Sequence, residues 1–542
     1  MESMEAGLDL TLAIATKSGF LAGAANQLPL AGILFLSVLT FVTIFFIHWA
    51  TPGGSAWSKL RFHNRKPIPG PRGFPLIGSM SLMHGLAHRK LAAKAKAHKA
   101  ERLMAFSLGN TRVVITSNPD VAKEILNSSA FVDRPAKYSA HALMFHRAIG
   151  FAPFGSYWRA LRRIAATHLF SPKQIAASSP RRKLIADQMV AALRCLSCSG
   201  DSVGAREVVK RAALNHMMWS VFGRGYEILS ESEEMRELRG LVDEAYELLG
   251  TLNWSDHLGF LSGFEFGFGF WFDPQGIRVR CARLVPKVNR FVSRLIDEHR
   301  DGAAKLVPDF VDVLLSLQYE YEDRLSDTDM AAVLWEMIFR GTDTVAVLIE
   351  WVLARLVMHQ DVQDEVHKEL DRVVGIHRTV TEIDVGSLVY LNAVIKEVLR
   401  LHPPGPLLSW ARLATCDTQV DGNYVPAGTT AMVNMWAITH DPHVWESPHK
   451  FCPKRFIGSN STEFQILGSD LRLAPFGSGR RNCPGKSLAM TTVSFWVASL
   501  LHEFEWAPLS NETLVDLSEV LKLSCEMAIP LTARLYPRRV IS

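Results

Sequence analysis

The chain has 542 residues, of which 48% are hydrophobic, and a formal net charge of +5. This length supports a large core and by itself suggests two to four domains. The small positive charge is not gathered into one basic stripe, and the sequence shows no nucleic-acid-binding motif. We therefore expect no nucleic acid partner.

Seven cysteines are scattered along the chain, and their odd number is not typical of a disulfide framework. Cys195 and Cys198 form a CxxC pair, but no second cysteine or histidine pair follows at zinc-binding spacing. The sequence therefore predicts two buried cysteines on a helix.

The N-terminal region contains an apolar run from Leu28 to about Ala50 that lacks Asp, Glu, Lys and Arg. About 20 such residues cross a bilayer as a helix, and the run starts too far into the chain for a cleaved signal peptide. Basic residues in 59–66 would place that side in the cytosol. We predict that residues 1–60 form a luminal N-terminus and a single membrane anchor, with the span at about 28–50.

A basic, proline-rich hinge is predicted for residues 61–80. The stretch from Pro67 to Pro75 has too many prolines for a helix or a central strand and is typical of a stiff linker. Residues 81–542 are then the globular part of the chain.

A β-hairpin and a helix start are predicted early in the globular part. Residues 103–108 and 111–116 flank Gly109-Asn110, a pair that favours a hairpin turn, and Asn118 before Pro119 favours a helix N-terminus. The apolar, aromatic segment from Tyr138 to Phe154 is interpreted as a candidate for the core.

Residues 157–163 are predicted to be helical. Trp158 and Arg162 are four residues apart and share one face, while Arg159 and Arg163 share a neighbouring face. Trp158 and Arg162 could together bind a ligand as hydrogen-bond donors. The alternative is a charged, exposed helix face with one tryptophan in the core.

Residues 259–272 are rich in glycine and phenylalanine and show neither a helical nor a strand period. We interpret them as a mobile apolar flap that dips into the bilayer near the substrate entrance. A buried loop is the alternative.

A long helix is predicted from an N-cap at Ser326 to about His359. Inside it, Gly341 and its threonine neighbours lower helix propensity and favour a local opening of the hydrogen-bond ladder, next to Asp343 and Thr344.

An ion pair between a glutamate and an arginine is predicted further along the chain. Glu397 and Arg400 lie on one helix face at i,i+3, a spacing that elsewhere in this chain indicates only surface ion pairs. Arg455 is a third candidate member of this group.

The chain is organised around residues 475–485, in which Cys483 lies among glycines, arginines and prolines before an apolar helical pattern from Lys486 to about Leu501. Glycines permit backbone conformations that side chains forbid. A thiolate that backbone donors hold at a helix N-terminus is stabilised in its charged form, which suits an axial ligand of haem iron. The alternatives are a small buried cysteine and a phosphate-binding loop, but the spacing is one residue too long and Pro484 removes a donor.

The ordered set Phe476, Gly479, Arg481, Cys483 and Gly485 resembles the haem-binding signature of the cytochrome P-450 superfamily. The resemblance extends over essentially everything from residue 67 onward. It is to the plant microsomal type, family 78, subfamily A, and it is carried by residues 151–158, 339–344, 410–412 and 436–442.

The resemblance implies a fold that is mainly α with a smaller β-rich lobe, and one large catalytic domain over residues 81–542 behind the anchor. It implies that the cofactor is haem b (iron protoporphyrin IX). The implied site residues are Cys483 as the metal ligand, Asp343 and Thr344 as the proton-delivering pair, Trp158, Arg162, Arg412 and Arg481 as partners of the propionates, and Phe476, Gly479 and Gly485 in the cysteine loop. Glu397, Arg400 and Arg455 resemble the structural ion-pair triad of the superfamily.

The implied activity is that of a monooxygenase in the endoplasmic reticulum membrane, with a single span and a cytosolic catalytic domain. It would hydroxylate a lipophilic, fatty-acid-like substrate with O2 and with electrons from NADPH through NADPH–cytochrome P-450 reductase, in plant growth or organ-size regulation. The alternatives are a haem-thiolate isomerase or dehydratase, which needs no reductase, and a non-enzymatic membrane haem binder.

Arg340 and Val345 depart from the superfamily pattern, which has a small residue and a hydroxyl residue at these positions. Arg340 is expected to share a helix face with Thr344 and to need an anion there. Glu336, one turn earlier, is the favoured partner; a haem propionate and a substrate carboxylate are the others.

Overall fold

The structure, a computed structural model, describes residues 30–58, 66–199, 202–230, 232–258, 273–302, 308–320, 325–408, 411–458, 464–468, 470–510 and 515–539. Most of these residues are helical, and the strands form small sheets, as predicted. The helices are α1 Leu30–Trp49, α2 Ala87–Ala97, α3 Pro119–Asn127, α4 Tyr138–Ala142, α5 Ser156–His168, α6 Pro172–Ala177, α7 Ser179–Ser199, α8 Ala205–Phe222, α9 Glu233–Gly250, α10 Ile277–Asp301, α11 Phe310–Glu320, α12 Asp327–Met358, α13 Gln360–Val373, α14 Glu382–Val385, α15 Val389–Leu401, α16 Met435–Thr439 and α17 Lys486–Glu503.

The largest sheet has four strands in the order β1-β2-β7-β4. Smaller sheets pair β5 with β6 and β9 with β10, and a third joins β3, β11 and β8. The strands are β1 Met104–Leu108, β2 Thr111–Thr116, β3 Val203–Gly204, β4 Arg412–Leu413, β5 Thr418–Val420, β6 Asn423–Val425, β7 Thr430–Val433, β8 Phe504–Ala507, β9 Glu519–Leu521, β10 Cys525–Met527 and β11 Thr532–Pro537.

Helix α12 is the centre of the fold. Its N-terminal half, through Phe339, packs in one large cluster of buried apolar residues, and its C-terminal half, from Val345, packs in a second. Burial of that much apolar surface is the main stabilising contribution in a domain of this size. The residues between the halves, 340–344, are therefore held rigidly at the junction of the two clusters.

The local opening predicted inside α12 does not occur, since the helix is continuous from Asp327 to Met358. The hydroxyl of Thr342 donates to the Ile338 carbonyl at 2.8 Å, so it adds to the ladder instead of breaking it. A Cβ at Gly341 would lie 2.2 Å from Met217 Sδ on α8. The glycine therefore makes room for a close helix–helix contact.

Several local predictions are confirmed. Strands β1 and β2 form the expected hairpin, with Leu108 opposite Thr111, and the Asn118 side chain accepts the N–H groups of Asp120 and Val121 at the start of α3. Ser326 and Asp329 form a capping box at the start of α12.

The prediction for the CxxC pair is wrong in one respect. Cys195 and Cys198 lie on α7 as expected, but both are exposed, because they belong to the last turns of a helix whose buried face is formed by other residues.

The N-terminal segment is described only from Leu30, where α1 begins. No helix in the part of the chain that the structure covers has the length and hydropathy of a membrane span. Large apolar side chains of α1 are nonetheless exposed, with Phe35 68% and Phe41 71% accessible. The predicted flap at residues 259–272 lies outside the described residues.

The predicted ion-pair triad is formed and lies within the helical core. Arg400 donates to both carboxylate oxygens of Glu397 at 2.8 Å, and Arg455 Nε lies 3.1 Å from Glu397. Arg400 also donates to the Thr439 and Pro448 carbonyls at 2.8 and 2.7 Å. The pair thus ties α15 to the segment that leads to the cysteine loop.

We expect Glu397→Ala to destabilise the protein by about 3–5 kcal/mol, because Arg400 would remain as a fully buried charge without its carboxylate. Thermal or urea unfolding of the purified protein measures this loss. Glu365→Ala is the matched control, since Glu365 forms an exposed pair with Lys368 and its loss should leave the unfolding transition unchanged. Equal effects of the two variants would contradict a stabilising role for the buried pair.

Candidate functional site

A cavity of about 250 Å³ lies between the middle of α12 and the loop at residues 475–485. Most of the predicted site residues line it. These are Trp158, Arg162, Thr344, Arg412, Phe476, Arg481, Cys483 and Gly485. Asp343 and Gly479 are not part of its wall, so the structure brings together eight of the ten predicted residues.

The loop around Cys483 is held by close backbone contacts. The Cys483 N–H donates to the Phe476 carbonyl at 3.0 Å. Gly479 has φ +70°, and a Cβ there would lie 2.1 Å from the Leu126 carbonyl oxygen, so only glycine fits. Gly485 is the N-cap residue of α17. Its role and that of Gly479 are thus to shape the loop that presents the cysteine.

Burial raises the pKa of the Cys483 thiol, and the Gly485 N–H and the charges of Arg340 and Arg162 oppose that shift. In the protein alone, burial therefore favours the thiol over the thiolate. A coordinated metal cation reverses this preference, because a coordinating thiol is deprotonated outright. The site is thus suited to a thiolate that forms when a metal binds.

The cavity carries an excess of positive charge. Its wall contains one acidic side chain, Glu336, against five arginines, which are Arg134, Arg162, Arg340, Arg412 and Arg481. Burial and repulsion by Arg481 lower the pKa of Arg412 to about 9, and burial lowers the pKa of Arg481 to about 10. This arrangement favours an anionic occupant.

Three of the predicted donors are engaged within the protein. The Trp158 indole N–H donates to the Ile149 carbonyl at 2.9 Å. Arg162 donates to the Asn482 carbonyl at 2.8 Å, which fixes the residue before Cys483. Arg481 donates to several backbone carbonyls, among them Ala152 at 2.6 Å.

Arg412 is the predicted arginine with unused donors. It is 4% exposed, its Nη2 donates to the Ser478 carbonyl at 3.3 Å, and its Nε and Nη1 have no partner in the described part of the chain. Buried donors without partners are destabilising. The two propionates of haem b would supply acceptors and offset the surplus charge, so these residues fit the implied cofactor.

Arg134 belongs to the same wall but was missed by the sequence analysis. It donates to the Gly150 and Ala411 carbonyls at 3.3 and 3.1 Å. Burial and the charge of Arg412 lower its pKa. The only signal in the sequence is its position between Asp133 and Pro135, which is too common to identify a site.

Thr344 and Asp343, although adjacent in sequence, point in different directions. Thr344 lines the cavity, and its hydroxyl lies 3.4 Å from the Arg340 carbonyl. Asp343 lies 3.4 Å from Lys210 on α8, and burial raises the pKa of its carboxyl. Consecutive residues on a helix are about 100° apart, so the regular helix separates the predicted pair.

Arg340 has the partner that the sequence favoured. Its Nε lies 3.4 Å from Glu336 Oε1, and the same oxygen accepts the Gly150 N–H at 2.8 Å. Glu336 thereby joins α12 to the loop that follows α4. Arg340 also lines the cavity, so the pair forms part of its polar wall.

The comparisons with known proteins agree on one family. The family model for cytochrome P-450 matches residues 68–525. The chain is 61% identical to cytochrome P-450 78A9 of Arabidopsis thaliana over 98% of each chain. It is 58% identical to cytochrome P-450 78A3 of Glycine max, over 96% of this chain and 97% of the relative.

A more distant relative is the flavonoid 3'-monooxygenase CYP75B3 of Oryza sativa subsp. japonica, 32% identical over 94% of this chain and 97% of the relative. Enzymes of this family bind haem through a cysteine thiolate and receive electrons from NADPH through a reductase. With a match over most of its length, the chain belongs to the cytochrome P-450 family of monooxygenases, in family 78, subfamily A.

Proposed function

We propose that the Cys483 thiolate would hold haem iron and that the enzyme hydroxylates a lipophilic small molecule in this cavity. The observation that carries this proposal is the cavity itself, which has Cys483 and Thr344 in its wall and a surplus of arginine around them. When bound, haem supplies the reductive activation of O2, with one oxygen atom for the substrate and the other for water.

Half-buried Cys483 is preferred over Cys281 and Cys525, the two buried cysteines. Cys525 is 4% exposed but lies in β10 and is not part of the cavity wall. Cys281 is buried on α10 in the apolar core. Only Cys483 combines a position in the wall with nearby backbone donors and arginines.

The arginines hold the cofactor in this proposal. Arg412, whose Nε and Nη1 have no hydrogen-bond partner among the described residues, is the first candidate to bind a propionate, because guanidinium binds carboxylates at two points. Arg162 and Arg481 add positive charge but position the cysteine loop through their backbone contacts. Trp158 acts through packing, since its ring lies 4.4 Å from the Arg481 guanidinium.

Thr344 would deliver protons at the cavity, because its hydroxyl can both accept and donate a hydrogen bond. Asp343 would supply them from another face of α12, where it lies 3.4 Å from Lys210, whose side chain is partly exposed. The proposed route therefore needs Asp343 to turn, or a water molecule to pass the proton to Thr344.

The substrate is proposed to be lipophilic and fatty-acid-like, since much of the wall consists of apolar side chains such as Met337, Val345 and Leu488. The resemblance to family 78, subfamily A further favours a role in plant growth and organ size.

Membrane attachment and partner binding complete the proposal. The exposed apolar side chains of α1 favour a single-pass anchor in the endoplasmic reticulum membrane with residues 81–542 in the cytosol. Arg159, Arg163 and Arg480 are exposed beside the cysteine loop and suit an acidic redox partner, NADPH–cytochrome P-450 reductase.

Cys483→Ala should abolish the red-shifted Soret band that the reduced carbon-monoxide complex of a thiolate-bound haem shows. The reason is the loss of the thiolate ligand, and absorbance spectroscopy measures it. Cys525→Ala is the matched control and should retain the band. The proposal fails if the first variant keeps the band or if the control loses it.

Thr344→Ala should leave haem binding intact but lower the fraction of NADPH that is used for product by about ten- to a hundredfold, with hydrogen peroxide formed instead. Parallel assays of NADPH, peroxide and product measure this coupling. Thr342→Ala is the control, because the Thr342 hydroxyl bonds to the Ile338 carbonyl and does not line the cavity. Unchanged coupling in Thr344→Ala would assign proton delivery to another group.

Dependence on NADPH and O2 separates the monooxygenase from the two alternatives. An isomerase or dehydratase would form product without either, and a haem binder would consume no NADPH in response to substrate. Product formation that requires both is the expected result.

Deletion of residues 1–49 should convert the protein from a form that resists alkaline carbonate extraction into one that carbonate releases, because α1 carries the exposed apolar surface. Immunoblots of membrane and supernatant fractions measure this. A full-length protein that carbonate already releases would contradict a spanning anchor.

A further inference from the structure

A second cavity, of about 210 Å³, lies beside the first and is not used by the proposed chemistry. It is bounded by the four-stranded sheet, the C-terminal end of α9 and the segment before α4. Its wall is largely apolar, with side chains such as Met83, Leu252, Leu407 and Met432.

Only a thin wall separates the two cavities. Leu523 lines both. The loop at 404–408 contributes Gly405 and Leu408 to the first cavity and Pro406 and Leu407 to the second. A small movement of one loop and one leucine side chain would join them into one elongated space.

Lys137 brings a poorly solvated ammonium group to the second cavity. Its Nζ donates to the main-chain carbonyl of Leu249, which also lines this cavity. Burial lowers the pKa of Lys137 to about 8, an effect that the charge of Asp256 opposes without cancelling. The ammonium has three donors, and this is the one hydrogen bond it makes in the described part of the chain.

The other ionisable groups in this wall are already engaged. Asp256 accepts the Tyr138 N–H at 3.2 Å and an Asn253 N–H at 3.1 Å. His257 bonds to the Thr111 hydroxyl at 2.9 Å. Lys522 donates to Glu526 at 2.6 Å and is more than half exposed. Among the described residues of this wall, Lys137 is therefore the cation with donors left for a ligand.

We propose that the second cavity is the outer part of the substrate site and that Lys137 binds the carboxylate of an amphipathic acid, whose apolar chain passes Leu523 toward Cys483. This inference rests on the proposed function. It assigns the carboxylate to Lys137 and not to Arg340, because Glu336 already pairs with Arg340. It also places the oxidised carbon at a distance from the carboxylate.

The test uses the full-length haem-loaded enzyme and two radiolabelled probes, dodecanoic acid and its methyl ester, with Kd measured by equilibrium dialysis. Lys137→Met should raise the Kd for the acid about tenfold or more, because loss of one charge-assisted hydrogen bond weakens binding by about that factor. The same variant should leave the Kd for the ester unchanged. Lys137→Arg should keep the preference for the acid. Lys96→Met, at an exposed lysine on α2, is the control and should change neither value.

Three results would overturn the inference. They are equal binding of acid and ester by the wild type, an equal loss of both probes in Lys137→Met, and a loss of acid preference in Arg340→Leu while Lys137→Met retains it. If Lys137→Met does not fold, Lys137→Gln replaces it. The carbon-monoxide band of every variant separates the proposed role of Cys483 from that of Lys137. A wild type without that band refutes the role of Cys483. A normal band with no preference for the acid refutes only the role of Lys137.

Discussion

The feature on which the rest of the site depends is the surplus of buried positive charge around the first cavity. Five guanidinium groups face one carboxylate there, and a buried charge is costly unless it is paired. Backbone carbonyls accept hydrogen bonds from Arg481 and Arg162 but carry no net charge. Asp133, 3.4 Å from Arg481, offsets one further positive charge and leaves an excess. A dianionic cofactor would reduce that excess, so cofactor binding and folding of the loop around Cys483 are expected to be coupled.

Helix α12 forms a fixed part of the wall of this charged cavity. Because its two halves belong to different core clusters, the residues between them have little freedom to move. Gly341 permits the close contact with Met217, and the Glu336–Arg340 pair ties the helix to Gly150 in the loop opposite. The middle of α12 and the loop that carries Gly150 therefore form a connected part of the cavity wall.

The sequence predicted the parts of the fold that depend on local chemistry. The Gly109-Asn110 turn, the Asn118 cap and the Ser326 capping box all follow from side chains within four residues. The spacing of residues 476–485 also pointed to Cys483, which the structure places in the wall of the first cavity. The sequence did not identify Arg134, because a single arginine before a proline is too common to indicate a site. It paired Asp343 with Thr344 because adjacency in sequence does not show which face of a helix each residue occupies.

A chain of charged side chains connects Asp343 to the second cavity. Its carboxylate contacts Lys210, which lies 3.8 Å from Glu526 in β10, and Glu526 in turn accepts from Lys522 in the wall of the second cavity. A ligand that enters past Lys137 would lie near Leu523, the next residue after Lys522. Under the two proposals, occupation of the outer cavity and the environment of Asp343 would thus be linked through one short segment, and binding of substrate would influence the proposed proton donor.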